Sequence, residues 1–479
     1  MLFNSVDFAV FLPLVFGLYW LLGTSRRKAQ NVLILLSSYF FYAWWNWQLL
    51  GLILLSTAID FWAGQEIHAS SDRQSKKRWL ALSIGVNIGL LLFFKYCNFF
   101  IDSFATAFQF LGYSFTSAQL EIALPVGISF YTFQTLSYSI DIYRKQLEPT
   151  TDWIAFGAFV SFFPQLVAGP IERAKDLLPQ FHQQRSFSYL QARDGLQQLF
   201  WGLFKKVAIA DQCAPLVDHI FQFHDQYSGG TLLLGALLFS FQIYADFSGY
   251  SDMAIGTAKL FGFRLSQNFS TPYFATNIRQ FWQKWHISLT AWFRDYLYIS
   301  LGGNRKGRLR TVQNIIAVFL VSGLWHGAEW KFVYWGLMHA MLFIIAVYLW
   351  PALFPASLAR PIRIVSVLKG VVTFLVVSIA WVFFRAENLE AAFRILDSIG
   401  NFPGYAFELP KSIPTLIPLL FTIALMLVIE WRHRTRTHGL QISPTEYPRW
   451  VRWSIYHSLL IVLLLYGKFN ETTFIYFQF

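Results

Sequence analysis

The chain has 479 residues, of which 55% are hydrophobic and only 13% charged, and its mean hydropathy is +0.43. Soluble globular chains carry roughly 25% charged residues, so the composition excludes a soluble fold and is that of a polytopic integral membrane protein. The net charge of +12 does not point to nucleic acid, because it is spread over short loops between apolar runs, as the positive-inside rule expects.

A membrane span takes roughly 20 mostly apolar residues. Such runs lie at 6–22, 31–47, 49–64, 79–100, 122–142, 153–170, 195–221, 231–261, 312–328, 331–350, 370–385, 412–431 and 452–468. No basic stretch precedes the first run and no small-residue cleavage site follows it, so it is expected to be a span and not a removed signal peptide. The runs at 122–142, with Pro125 and Gly127, and 153–170, with Pro164, Gly169 and Pro170, are expected to be broken or re-entrant. Irregular backbone at membrane depth is tolerated only under the cover of protein or a water-filled cavity.

Lys and Arg cluster at Arg26–Lys28, Arg73–Arg78, Arg144–Lys145, Arg305–Arg310, Arg360–Lys369 and Arg432–Arg436. Counted through the runs, these clusters fall on one side, which is then cytoplasmic. The acids Glu387, Glu390, Asp397 and Glu408 fall on the other. Both termini are therefore expected outside. No loop is long enough to bury a core of its own, so residues 1–479 are read as a single membrane-embedded domain.

Residues 264–310 break the pattern of spans. They carry Arg264, Arg279, Lys284, Arg294, Arg305, Lys306, Arg308 and Arg310 against one acid, Asp295, with interleaved aromatics. From Ile278 to Tyr298 the spacing predicts an amphipathic helix lying in the interface plane, ended at Gly302-Gly303-Asn304. The basic residues suit a phosphorylated donor such as coenzyme A, because guanidinium pairs phosphate oxygens bidentately. Ordinary positive-inside charge predicts the same residues.

Among the ten histidines, His326 stands out. It lies in the apolar run from Ile315 to Gly327, where an ionisable group costs about 2.5 kcal/mol or more on insertion scales. Imidazole is also the side chain best suited to proton transfer near neutral pH. A packed histidine or a proton relay is the competing reading. His286 sits within the basic aromatic segment, where an interfacial ring is as good an account as a functional one. His68, His182, His433 and His438 lie in polar sequence and are expected to be solvated, and His339 is expected to be a packed helix residue. His219 and His224 beside Asp218 and Asp225 match no metal-binding spacing, and no metal site is expected. Asp246 and Asp252, with Ser248 and Ser251, are costly in an apolar run. They either line a polar channel, orient a histidine, or make interhelical hydrogen bonds. Cys97 and Cys213 show no disulfide or zinc spacing.

Several short motifs occur in order along the chain. They are Pro125-Val126-Gly127-Ile128-Ser129-Phe130, Phe163 through Ile171, Tyr244 through Asp252, Phe281-Trp282, and Trp285-His286-Ile287-Ser288-Leu289. Phe293 through Tyr298, Gly302-Gly303-Asn304-Arg305 and Leu324-Trp325-His326-Gly327 follow. With these motifs the chain resembles the membrane-bound O-acyltransferase family, and within it the bacterial branch of alginate O-acetyltransferase membrane subunits. The ending Phe474-Ile475-Tyr476-Phe477 also looks like that branch.

The resemblance implies an all-α polytopic fold, a ring of transmembrane helices around a central funnel with re-entrant and interfacial helices. It places the family's signature histidine at His326 and its second polar site at His286, as the catalytic pair. Trp325, Trp285, Arg294, Asp295, Asp246 and Asn304, which lie within the motifs, are the expected donor- or substrate-binding residues. The implied reaction moves an acetyl group from cytoplasmic acetyl-coenzyme A towards an exported polysaccharide such as alginate, with His326 as base and no permanently bound cofactor; a histidine that carries the acetyl group as a covalent intermediate is the alternative. The implied setting is the bacterial inner membrane, with a periplasmic or extracellular acetyltransferase subunit as partner; that partner rests on analogy. Two other functions stay open. One is D-alanyl, lipid or teichoic-acid acylation from a carrier-protein donor. The other is a transporter without bond chemistry, since intramembrane His and Asp residues also suit proton relays.

Overall fold

The computed structural model describes residues 1–113, 119–349, 363–401, 416–468 and 474–475. Parts of the expected loops, including Arg360 and Glu408, and the ending Tyr476-Phe477 lie outside the described residues. Every regular element among the described residues is a helix, as a chain that must satisfy its backbone without water requires. Among the described residues, five helical stretches are long and apolar enough to cross a membrane. The chain groups into two compact units.

The first unit comprises Met1–Leu2, Val6–Ala192 and Thr257–Ser266. It holds α1 (Val6–Leu21), α2 (Arg27–Asn46), α3 (Leu50–Ala69), α4 (Arg73–Leu91), α5 (Cys97–Phe110), α6 (Ile128–Tyr143), α7 (Trp153–Val160), α8 (Phe163–Leu166) and α9 (Ala174–His182). The two runs expected to be broken are broken. Helix starts only at Ile128 in the first, and the second is split into α7 and α8. At about 1.5 Å per residue, neither α7 nor α8 reaches across a bilayer.

The interior of this unit has a polar knot that periodicity does not reveal. Asp60 of α3 is fully buried. It accepts hydrogen bonds from Asn87 at 2.6 Å and Ser139 at 2.7 Å, and from Ser83. Asn87 in turn accepts from Ser56 at 2.6 Å. A carboxyl inside a membrane helix persists where neighbouring helices supply its partners, and α4 and α6 do so here.

Glu172, in the turn before α9, is also buried, and it accepts from the backbone N–H and the hydroxyl of Ser266. Burial pushes its carboxyl up to about 7, against the opposing pull of those hydrogen bonds. The unfolded chain keeps the ordinary value near 4.5, so the folded chain binds the proton more tightly in the window between. The stability this contributes is full below about pH 4.5 and is lost as pH rises through about 7. Glu172→Gln is expected to lack this component. Melting temperatures in detergent from pH 4.5 to 8 should fall more steeply for the unsubstituted protein than for the variant; parallel curves would refute the assignment.

The second unit comprises Phe3–Ser5, Arg193–Gly256 and Gln267–Phe479. Its helices are α10 (Tyr189–Lys205, starting in the first unit), α11 (Asp211–Gln222), α12 (Gly229–Leu260), α13 (Ile278–Lys284), α14 (Ile287–Trp292), α15 (Gly307–His326), α16 (Trp330–Ile344), α17 (Arg363–Arg385), α18 (Leu389–Gly400), α19 (Leu416–Arg432) and α20 (Arg449–Tyr466). α12 is largely buried along its length, which explains why a membrane helix carries two aspartates.

α15 and α16 pack as an antiparallel pair with almost no separation. A Cβ on Gly323 would lie 2.2 Å from the Phe332 carbonyl oxygen, and one on Gly336 2.3 Å from that of Phe319. Small residues let membrane helices approach backbone to backbone. Gly323→Ala is expected to push the pair apart at a cost of about 1–3 kcal/mol. A lower melting temperature in detergent would register it, and an unchanged one would contradict this packing. Gly323 lies one turn before His326, so the pair's spacing also sets where that imidazole sits.

The single helix expected from Ile278 to Tyr298 is in fact two. Helix α13 stops at Lys284, whose carbonyl accepts from the N–H of Ser270, and α14 starts after His286. His286 itself takes the left-handed conformation with φ +43°. The aromatic positions are correctly spaced for one helix, but the loop at 268–270 captures the backbone between them through the Ser270–Lys284 and Ile287–Asn268 hydrogen bonds. Phe281, Trp282, Trp285, Trp292, Phe293 and Tyr296 are all buried, so the aromatic face is core and not an exposed interfacial surface.

Candidate active site

The site lies in the second unit and is assembled from the ends of short elements. His326 is the last residue of α15 and is 3% exposed. Its ring meets Trp325 at 5.0 Å, Trp335 of α16 at 5.1 Å and Phe384 of α17 at 5.3 Å between centroids, all edge-on. Gly327, which follows it, leaves room for Phe332. A Cβ there would lie 2.1 Å from the Phe332 ring, which packs on Phe384 at 5.0 Å. The Trp-His-Gly motif thus closes a tight aromatic box around one imidazole.

His286 reaches the same indole from the other element. Its ring lies 5.9 Å from that of Trp325 and 4.7 Å from that of Phe247 of α12. Trp325 therefore touches both histidines. His286 is 1% exposed, and burial pushes its imidazole down to about 3, so it is neutral at physiological pH. Its Nδ1 lies 3.3 Å from Asn268 Oδ1, and its Nε2 has no hydrogen-bond partner among the described residues. Trp285, the neighbour of His286, turns the other way. It packs on Trp381 at 5.0 Å, Phe269 at 5.1 Å and Phe281 at 5.5 Å. Trp381 stacks on Trp335 at 5.6 Å, so Trp285 belongs to the aromatic wall behind the histidines.

A narrow polar cleft opens beside Asn268. Its volume is 30 Å³, and its lining includes Lys205, Ser251, Asp252, Glu430, Arg434 and Arg436. Such a volume holds water, and several of its lining side chains are hydrogen-bonded. Lys205 donates to Asp252 at 2.6 Å and Ser248 at 2.9 Å, and Tyr244 donates to Glu430 at 2.9 Å. His433 and His438 also line the cleft. They are buried, contrary to the solvated positions expected of them, because Gly439 O at 2.6 Å and Asp194 at 3.1 Å partner their rings from the fold. Sequence reading missed Asn268, Lys205 and Glu430. Only the last two carried a signal, a charge within an apolar run.

The remaining expected residues fall elsewhere. Asp246 shares the Lys206 ammonium with Asp211, at 2.9 and 2.8 Å, and accepts the N–H of Ile475 at 2.8 Å. Arg294 and Asp295 pair with one another at 2.7 Å, with the guanidinium 60% exposed, and Asn304 is exposed. His339 is buried as expected, against Trp335 at 4.8 Å and Trp282 at 5.0 Å. Among the described residues no cluster could hold a metal ion.

Two buried imidazoles on one indole, walled by aromatics, one of them partnered by the cleft residue Asn268, can exchange a proton with a reactant shielded from bulk water. Comparison with known proteins bears on which reactant. A family model described as MBOAT, membrane-bound O-acyltransferase family, matches residues 79–386. The chain is 44% identical over 404 residues to the probable alginate O-acetylase of Azotobacter vinelandii, a match covering 84% of this chain and 78% of that protein. It is 38% identical over 509 residues to the probable alginate O-acetylase of Pseudomonas putida, covering all of both. It is also 34% identical over 528 residues to the peptidoglycan O-acetyltransferase of Helicobacter pylori, covering 100% of this chain and 98% of that one.

Proposed function

The chain belongs to the membrane-bound O-acyltransferase family and is a multi-pass membrane O-acyltransferase, and from that premise we propose that it transfers an acetyl group from cytoplasmic acetyl-coenzyme A to a hydroxyl of an exported polysaccharide, with His326 as general base. The hydroxyl oxygen forms the new ester bond to the acetyl carbon as its proton passes to His326. The carbon–sulfur bond breaks, and the proton leaves with the coenzyme A thiol. General-base catalysis of this kind contributes about 10²–10⁴-fold.

The observation that carries this reading is the placement of His326 and His286 against the same indole in a buried aromatic box. His286 orients donor or acceptor beside the base. The thioester arm enters by way of the cleft at Asn268, where Arg434 and Arg436 face the donor's phosphates. The relatives' names support a glycan acceptor, alginate-like or peptidoglycan-like. In this reading the protein is one membrane domain in the bacterial inner membrane with both termini outside, and a separate subunit on that side completes the transfer.

The test is release of free coenzyme A by protein reconstituted in liposomes. Acetyl-coenzyme A is offered with alginate oligosaccharide, with peptidoglycan fragments or alone, and an acylated carrier protein is offered in parallel. Acetyl-coenzyme A turnover accelerated by a glycan is expected. Turnover of the carrier protein alone would replace this reading with a D-alanyl or lipid acyltransferase. Absence of any acyl turnover in folded protein would overturn it.

A further inference from the structure

Asn268 is fully buried and makes contacts with three side chains around His286. Its Oδ1 lies 2.5 Å from Ser288 Oγ and 3.3 Å from His286 Nδ1, and its Nδ2 lies 3.0 Å from Ser251 Oγ. These lengths fix the orientation of the amide. A separation of 2.5 Å suits O–H···O and is too short for N–H···O, whereas 3.0 Å is the usual N–H···O length. The carbonyl end therefore faces Ser288 and His286, and the amino end faces Ser251. The backbone of Asn268 is engaged as well, since its carbonyl accepts the N–H of Ile287 at 2.9 Å. That bond holds the turn in which His286 adopts φ +43°. A non-glycine residue in that region is strained and persists only when its surroundings over-determine it.

We propose that Asn268 is a positioning residue that holds His286 as the Nδ1–H tautomer, so that the Nε2 lone pair is the face His286 presents to the acyl-transfer centre. A carbonyl oxygen accepts only, so the ring nitrogen opposite it must carry the proton. The other nitrogen is then a hydrogen-bond acceptor and cannot donate. His286 consequently accepts a proton or hydrogen bond from a reactant and does not act as an N–H donor to a carbonyl. A tautomer set by a second residue is a recurrent means of aiming an imidazole, and the wrong tautomer is costly to catalysis. The titratable groups on the elements packed against His286 are Tyr244, Asp246, Tyr250 and Asp252 of α12 and His326 of α15. Asp246 and Asp252 are held by Lys206 and Lys205, and Tyr244 by Glu430. The inference that this nitrogen serves acyl transfer rests on the function proposed above; the tautomer itself does not.

Solid-state 15N NMR of histidine-labelled protein in liposomes reads the tautomer directly, with His286→Gln assigning the signal. The unsubstituted protein should show His286 protonated at Nδ1. Asn268→Asp keeps the acceptor and adds a charge, so His286 should titrate at higher pH. The acid limb of coenzyme A release should move up with it. Asn268→Ala should lose the tautomer preference and about 10–100-fold in kcat. An Nε2–H signal in the unsubstituted protein, or a pH profile for Asn268→Asp that superimposes on it, overturns the proposal even if acetyl transfer proceeds. The expected tautomer and titration without any acyl turnover would leave this proposal standing and remove the proposed function.

Discussion

Replacing His326 by Ala or Gln is expected to abolish O-acetylation of the glycan product in membranes, a loss of at least about 10²-fold. The box around His326 is built from Trp325, Trp335 and Phe384, groups that pack well but take up no proton at physiological pH. None of these three groups can replace the imidazole. His326→Gln is the sharper variant, because amide and imidazole have similar size and the box stays filled. Retained yield and melting temperature in detergent would show that packing survives. Near-normal acetylation by folded His326→Gln would remove His326 from the base role and return it to the packed histidine that an apolar run by itself also allows.

The largest expected effect on stability comes from Lys206→Met. One buried ammonium serves Asp211 at 2.8 Å and Asp246 at 2.9 Å, and all three side chains are almost completely buried. Removing one partner of a buried ion pair costs about 3–5 kcal/mol, because the remaining charge keeps its desolvation penalty. Here two carboxylates would lose their cation. The damage should also reach the site. Asp246 anchors Ile475, and the adjacent Phe474 packs on Phe247, whose ring lies edge-on to His286. The variant should show a much lower folded yield and melting temperature. Adding Asp211→Asn and Asp246→Asn should recover part of the loss, since the uncompensated charges then disappear. A Lys206→Met protein with unchanged melting temperature would show that the triad contributes little.

Asp246 illustrates how far the sequence could be read. Its position in an apolar run marked it as costly, and cost pointed correctly to a structured role. Cost alone does not distinguish a carboxylate that faces a substrate from one held by a lysine 40 residues earlier in the chain. The same ambiguity affected Arg294, Asp295 and Asn304. They sit in motifs that follow His286, yet Arg294 and Asn304 are exposed and Asp295 is half-buried and paired with Arg294. Asn268 had the opposite fate. A single amide in a polar loop carries no sequence signal, and its importance appears only when 268–270 pairs with the backbone of 284–287.

The sequence by itself determined the class of the protein, the apolar runs and the breaks at 122–142 and 153–170, and it singled out two histidines as candidates. Each follows from local chemistry: the length of an apolar run, the conformational limits of Pro and Gly, the cost of an ionisable group among apolar ones. Tertiary structure alone decided which partners those groups have. Asp246 meets Ile475 across 229 residues and Tyr244 meets Glu430 across 186. Two imidazoles separated by the whole of α14 and α15 share one indole. Periodicity is a property of neighbours along the chain, whereas hydrogen-bond and ring partners are set by how helices pack, and that information is distributed over all of them.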